Sequence, residues 1–137
     1  MSYFNSRKIV LMPYAMEAIE YFSSKKLAAV SGSSQEELEL KLGNAQLSDY
    51  FDLVIGISGS LKSKPDPDLY LKALEILKID PSEALVIEDT SSGVAAAKGA
   101  NIFTIAIPSE FTIGQDFSKA DRLCKNLKDA IEIAKSL

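Results

Sequence analysis

The stretch from Ala84 to Gly99 constrains this chain most. It reads Ala-Leu-Val-Ile-Glu-Asp-Thr-Ser-Ser-Gly-Val-Ala-Ala-Ala-Lys-Gly. Its first four residues can be buried on both faces, which is the pattern of a strand inside a parallel sheet. Glu88 and Asp89 then fall at the strand's carboxyl end, ahead of a Ser-Ser-Gly turn and a helix of small residues. In open α/β sheets, ligands sit beyond the carboxyl ends of the strands. Two adjacent carboxylates there repel each other, and a cation relieves that repulsion most simply. The alternative needs no ligand: Asp89 caps the helix and Glu88 is solvated.

Composition narrows the chemistry. A chain of 137 residues suits one domain, residues 1–137, with enough length for a real core. Its net charge of −4 argues against a nucleic acid or an anionic membrane surface as partner. No apolar run approaches a membrane span, and no signal peptide is visible. Cys124 is the single cysteine, so no intrachain disulfide forms and a cytoplasmic setting is expected. The chain has no histidine, which excludes histidine-based triads, histidine general bases and histidine-ligated zinc. Catalysis would have to run on carboxylates, lysine, hydroxyls, backbone amides and an oxygen-liganded metal.

Along the chain, helix and strand patterns alternate. Lys8–Met12 can be extended, and Ala15, Ala18, Ile19 and Phe22 predict a helix from about Pro13 to Ser24. Leu27–Val30 reads as a short strand running into Ser31-Gly32-Ser33-Ser34, and Gln35–Leu42 as helix with Gly43 just past its end. The serine cluster has two readings. It is a turn with an N-cap at Ser33 or Ser34, or a phosphate cradle of hydroxyl and amides at a helix N-terminus. Phe51–Ile57 reads as strand. Asp66 is expected as the N-cap, and Pro67 as the first residue, of a helix whose inner face carries Tyr70, Ala73, Leu74 and Leu77. Lys64 is either a solvated surface lysine or an ammonium whose direction is fixed by the prolines beside it. Ile102–Ile107 is a further apolar strand, Asp121–Cys124 a short edge strand, and Asn126 the cap of a last helix. The alternation predicts a three-layer α/β/α fold around a doubly wound parallel sheet.

Three strand ends thus carry a hydroxyl, an ammonium and an acid pair, a set that neutralises a transferring phosphoryl group. With these residues in hand, the chain resembles the haloacid dehalogenase superfamily, especially its phosphatase and phosphoglucomutase-like branch. Leu-Ala-Ala-Val-Ser-Gly-Ser-Ser is similar to that family's second motif, Ser63-Lys64-Pro65-Asp66-Pro67-Asp68 to its third, and Val-Ile-Glu-Asp-Thr-Ser-Ser-Gly to its fourth. The resemblance implies phosphate binding by Ser31, Gly32, Ser33 and Lys64, with Lys64 also the catalytic, nucleophile-orienting lysine. It implies Mg²⁺ held by Asp89 and Glu88. It also implies hydrolysis of a small phosphorylated metabolite through an aspartyl-phosphate.

The family's first motif, Asp-x-Asp-x-Thr on an N-terminal strand, does not occur in residues 1–137, so no nucleophile can be assigned. Asp66-Pro67-Asp68 has the spacing but sits in the third motif, ahead of a helix. The chain resembles a family member that begins near the end of its cap, with residues 1–12 as a remnant of the cap-to-core connection. Three readings follow. The chain is a phosphatase or mutase core that is inactive without an Asp-x-Asp segment. Or it is a non-catalytic phosphate- and metal-binding or assembly module. Or it is an unrelated flavodoxin-like domain, for which no Gly-x-Gly-x-x-Gly is present. In the family's strand order, 5-4-1-2-3, the first strand is central. Its place is expected to be filled by Lys8–Met12, by a strand from an N-terminal fragment or a second copy, or by closure of strand four onto strand two.

Overall fold

The computed structural model describes residues 2–4, 9–11, 15–22, 25–44 and 48–137. Pro13, Ser23 and Ser24, the expected margins of the first helix, lie outside the described residues. So do Lys8 and Met12.

Strands β1 (Ser2–Phe4) and β2 (Ile9–Leu11) form an antiparallel pair. Helix α1 follows at Ala15–Phe22. Then come β3 (Ala28–Ser34), α2 (Gln35–Asn44), β4 (Leu53–Ile57) and α3 (Asp68–Leu77). The chain continues through β5 (Leu85–Glu88), α4 (Ser91–Gly99), β6 (Phe103–Ala106), β7 (Arg122–Leu123) and α5 (Leu127–Lys135).

Hydrophobic alternation along the strands sets the layers. On β5, Leu85 and Ile87 pack toward Ala18 of α1 and toward α5, whereas Val86 packs against Tyr70 and Leu74 of α3 and Ala96 and Ala97 of α4. On the other half of the sheet, Ala29 and Val54 meet α1 and α2. Val30 and Ile55 meet Leu69 and Ala73 of α3. Helices α1, α2 and α5 therefore cover one face and α3 and α4 the other. Leu69 and Ile105 are fully enclosed, and burial of such side chains is worth about 1.5–3 kcal/mol each.

Local signals explain most boundaries. Asn126 accepts the Asp129 amide at 3.0 Å and starts α5 as expected. Asn101, at φ 61°, takes the left-handed turn that ends α4. Three expectations need correction. Helix α3 is capped by Pro67, not Asp66, because the Asp66 carboxylate instead closes a local turn by accepting the Asp68 amide at 3.2 Å. Gly43 lies inside α2, which runs on to Asn44. β3 continues through the serine cluster instead of ending at Val30.

The sheet falls into two parallel halves. β3 pairs with β4, and β5, β6 and β7 pair in that order. Ile9–Leu11 pairs with Ser2–Phe4 and with no parallel strand, and β5 does not pair with β3. Two of the three expected ways of completing the sheet are thus not taken by the described residues. Between β3 and β5 lies a cleft of about 1000 Å³, lined by residues of both halves.

Candidate active site

The carboxyl ends of β3 and β5 and the loop before α3 meet at the mouth of this cleft. On β3 the ladder with β4 is regular at Ala28–Val30, shifts, and resumes where Ser34 faces Ile57. Within the irregular stretch the Ser31 hydroxyl accepts the Ser33 amide at 3.1 Å. Ser34 settles the choice of cap, since its hydroxyl accepts the Glu37 amide at 3.2 Å. Gln35 substitutes for lost ladder bonds. Its Oε1 accepts from the Gly56 amide at 2.6 Å and its Nε2 donates to the Val54 carbonyl at 2.8 Å. Gly56 is required for this approach, because a Cβ there would lie 2.6 Å from the Ser33 carbonyl oxygen.

Lys64, whose peptide bond to Pro65 is cis, is not a solvated lysine. Its side chain is 12% exposed. The ammonium donates to the Val30 carbonyl at 3.4 Å and to the Glu88 carboxylate, and lies 5.3 Å from the centre of the Tyr70 ring. Glu88 is not solvated either, being 5% exposed. The same Oε1 that receives Lys64 also accepts the Tyr70 hydroxyl at 2.5 Å. Burial first, and then the neighbouring Glu88 charge, push the Tyr70 phenol well above its ordinary range, so it stays a donor. The other face of the Glu88 carboxylate rests on α4. A Cβ at Gly93 would fall 1.8 Å from Oε2.

Asp89 does not cap α4. Thr90 does, accepting the Gly93 amide at 3.0 Å. This frees the half-buried Asp89 carboxylate to line the cleft. Ser31, Gly32, Lys64, Glu88 and Asp89 all line it, whereas Ser33 does not. The Ser91 amide, at the start of α4, is taken by Gln115 at 2.8 Å. Oxygen ligands of this kind suit Mg²⁺. Glu88 and Asp89 fit it only as part of a shell, since no cluster of three or more His, Cys, Asp or Glu residues occurs among the described residues. Asp66 borders a separate shallow depression, and Asp68 accepts the Lys62 amide at 3.0 Å.

Tyr70 and Gly93 escaped the sequence reading. By spacing Tyr70 falls on an apolar helix face with Ala73, Leu74 and Leu77, yet a buried phenol needs a partner for its hydroxyl, and that requirement is the signal that points to a polar site. Gly93 has no signal beyond its place in the Ser-Ser-Gly turn.

A sequence model of haloacid dehalogenase-like hydrolases matches residues 2–107. The chain belongs to this family. A phosphorylated carbohydrates phosphatase from Thermotoga maritima is 40% identical over 92 residues, covering 66% of this chain and 43% of that protein. Protein CbbY from Rhodobacter capsulatus is 31% identical over 121 residues, covering 85% of this chain and 53% of that protein. Among solved structures, CbbY from Rhodobacter sphaeroides in complex with xylulose-(1,5)bisphosphate superposes with a TM-score of 0.79 at 29% identity, covering 86% of this chain and 55% of that one. The chain thus spans about half the length of these relatives. The flavodoxin-like reading falls with the family match. Among the described residues no helix is long and apolar enough to cross a membrane.

Proposed function

We propose that residues 1–137 form the core of a Mg²⁺-dependent phosphomonoester phosphatase acting on a small phosphorylated metabolite in the cytoplasm. The observation that carries this is the meeting of Ser31, Lys64, Glu88 and Asp89 on one cleft at the carboxyl ends of parallel strands. Ser31 and Gly32 would receive the phosphoryl oxygens from one side, by hydroxyl and backbone amide. Lys64 would face them with an ammonium already oriented by Glu88 and Tyr70. Asp89, with Glu88, would hold Mg²⁺, which when bound supplies positive charge to the phosphoryl group. The relatives whose names include phosphatase support this reading.

None of the four acids singled out around the site, Glu88, Asp89, Asp66 and Asp68, stands ready as nucleophile. Glu88 is engaged by two donors, Asp89 is assigned to the cation, and Asp66 and Asp68 are bound to backbone amides. The chain is therefore expected to need an Asp-x-Asp segment to turn over. The test is phosphate release from an aryl phosphate with Mg²⁺, with and without an added fragment bearing an Asp-x-Asp strand. Turnover with the fragment, lost in Lys64→Ala, supports the proposal. Saturable phosphate binding with no turnover under either condition would favour the non-catalytic module. Robust turnover by the chain alone, abolished by Lys64→Ala, would overturn the missing nucleophile.

A further inference from the structure

Only Asp89 and Thr90 lie between the last residue of β5 and the first of α4. Glu88 is held by Lys64 and Tyr70, but the Asp89 carboxylate makes no hydrogen bond or ion pair with another described residue. Its direction therefore rests on the backbone that carries it. One segment grips that backbone on both sides. Before Asp89, the Glu88 carbonyl accepts the Ile107 amide at 2.8 Å. After it, the Ser91 amide donates to the Gln115 side-chain oxygen at 2.8 Å, across 24 residues of sequence. The segment between the two grips is braced. The buried Thr112 hydroxyl accepts the Ser109 amide at 2.8 Å, and the Thr112 amide donates to the Ser109 carbonyl at 3.1 Å. The Gln115 amide in turn donates to the Thr112 carbonyl at 2.9 Å. The Gln115 backbone is thus fixed to a buried turn, and only its exposed side chain has to reach.

We propose that Gln115 is a positioning residue for the cation-holding turn: by accepting the Ser91 amide, it fixes the aim of Asp89. This rests on the reading of Asp89 as a ligand of Mg²⁺. The first amides of a helix have no partner inside it and need an acceptor from outside. Thr90 supplies one for Gly93, and Gln115 supplies one for Ser91. The chemistry favours a carboxamide in this place. Its oxygen accepts the amide without carrying charge, whereas a carboxylate would add a third negative group close to Glu88 and Asp89. The Ile107 grip is backbone to backbone and continues the pairing of β5 with β6. Gln115 is therefore the grip that depends on side-chain identity.

The test uses no activity. The full 137-residue chain is titrated with Mg²⁺ and followed by NMR at Asp89, and exchange of the Ser91 amide is read without metal. In Gln115→Ala the Ser91 amide should exchange faster and the Mg²⁺ dissociation constant should rise, each by about three- to tenfold, the factor that one neutral hydrogen bond supplies. Gln115→Glu restores an acceptor of the same reach and should recover both. Gln115→Asp carries the same charge on a shorter side chain and should recover neither to that extent. Faster exchange at Ser91 with unchanged Mg²⁺ affinity would overturn the proposal, because Gln115 would then only complete the start of α4. Equal recovery by Gln115→Asp would overturn it too, since charge and not reach would be responsible. An Asp89 signal that Mg²⁺ leaves unmoved in the parent chain would reject Asp89 as the ligand, and the proposal would fall with that reading.

Discussion

Gly93→Ala sets two opposed effects against each other at one atom. On helix propensity alone the change is favourable, since Ala in place of a helical Gly gains up to about 1 kcal/mol. Gly93 is the third residue of α4, so that gain is an upper value. Against it stands the Glu88 carboxylate. The new Cβ would lie 1.8 Å from Oε2, 2.1 Å from Cδ and 2.7 Å from Oε1. A side-chain end that clashes can usually swing away cheaply, but this one cannot. Its Oε1 receives both the Lys64 ammonium and the Tyr70 hydroxyl, and hydrogen bonds to a charged group are worth about 1.5–3 kcal/mol each. Breaking a buried ion pair costs about 3–5 kcal/mol. The loss outweighs the propensity gain, and Gly93→Ala is expected to destabilise the fold by about 2–4 kcal/mol, a large share of the typical reserve of about 5–15 kcal/mol.

Urea unfolding followed by far-UV circular dichroism measures this, and a double-mutant cycle isolates its cause. In a Glu88→Ala background the carboxylate is gone, so Gly93→Ala should become neutral or stabilising by up to about 1 kcal/mol. The reasoning is refuted if Gly93→Ala is as stable as the parent. An equal cost in both backgrounds would refute it too, since the clash would then lie elsewhere.

Tyr70→Phe keeps the ring beside Lys64 and removes only the hydroxyl on Glu88, so unfolding in urea should show a loss of about 1.5–3 kcal/mol; no loss would mean that the hydroxyl does not hold Glu88. Mg²⁺ titration followed by NMR at Asp89 should show weak binding, because two carboxylates make a poor cage and Mg²⁺ keeps most of its waters. Tight binding that survives Asp89→Asn would place the metal elsewhere. Asp121 gives a pH prediction. Burial pushes its carboxyl up, but the Lys98 ammonium at 2.9 Å and the Thr104 amide at 2.8 Å more than offset this and hold it below 3.8. A depressed folded value makes its contribution complete above the unfolded value and lost as pH falls through the folded one. The stability of the parent should therefore drop below about pH 3.8 by more than that of Asp121→Asn, as measured by thermal unfolding across pH 2–5.

The layers were legible because they depend on short-range patterning. Apolar runs at 27–30, 84–87 and 102–107 and helical repeats such as Tyr70, Ala73 and Leu74 fix which faces are buried, whatever the long-range contacts are. The position of Asp89 just past the end of β5 was legible for the same reason. What escaped depends on contacts between distant residues. Thr90 takes the cap that Asp89 could have filled, and nothing local distinguishes the two. Gly93 matters through Glu88, five residues earlier on another element. Gln35 repairs a ladder with β4 across 21 residues of sequence. The cap of α3 shifted because Asp66 found a nearer amide in Asp68.

Lys64 joins the two questions that this structure raises. Its ammonium spans the mouth of the cleft, from the Val30 carbonyl of one half-sheet to the Glu88 carboxylate of the other. It is thus a tie between the halves as well as the cation expected to face phosphate. Loss of activity in Lys64→Ala cannot by itself separate the two, since removing the tie leaves a buried carboxylate with one donor fewer and strands β3 and β5 less firmly aligned. Lys64→Arg separates them. A guanidinium keeps the positive charge and can still bridge Val30 and Glu88, but its planar fork aims its donors differently from an ammonium. If Lys64 acts mainly as a tie, Lys64→Arg should recover most of the stability and, in the fragment-supplemented assay, most of the turnover. If the direction of the ammonium at the phosphoryl group matters, stability should return while turnover does not.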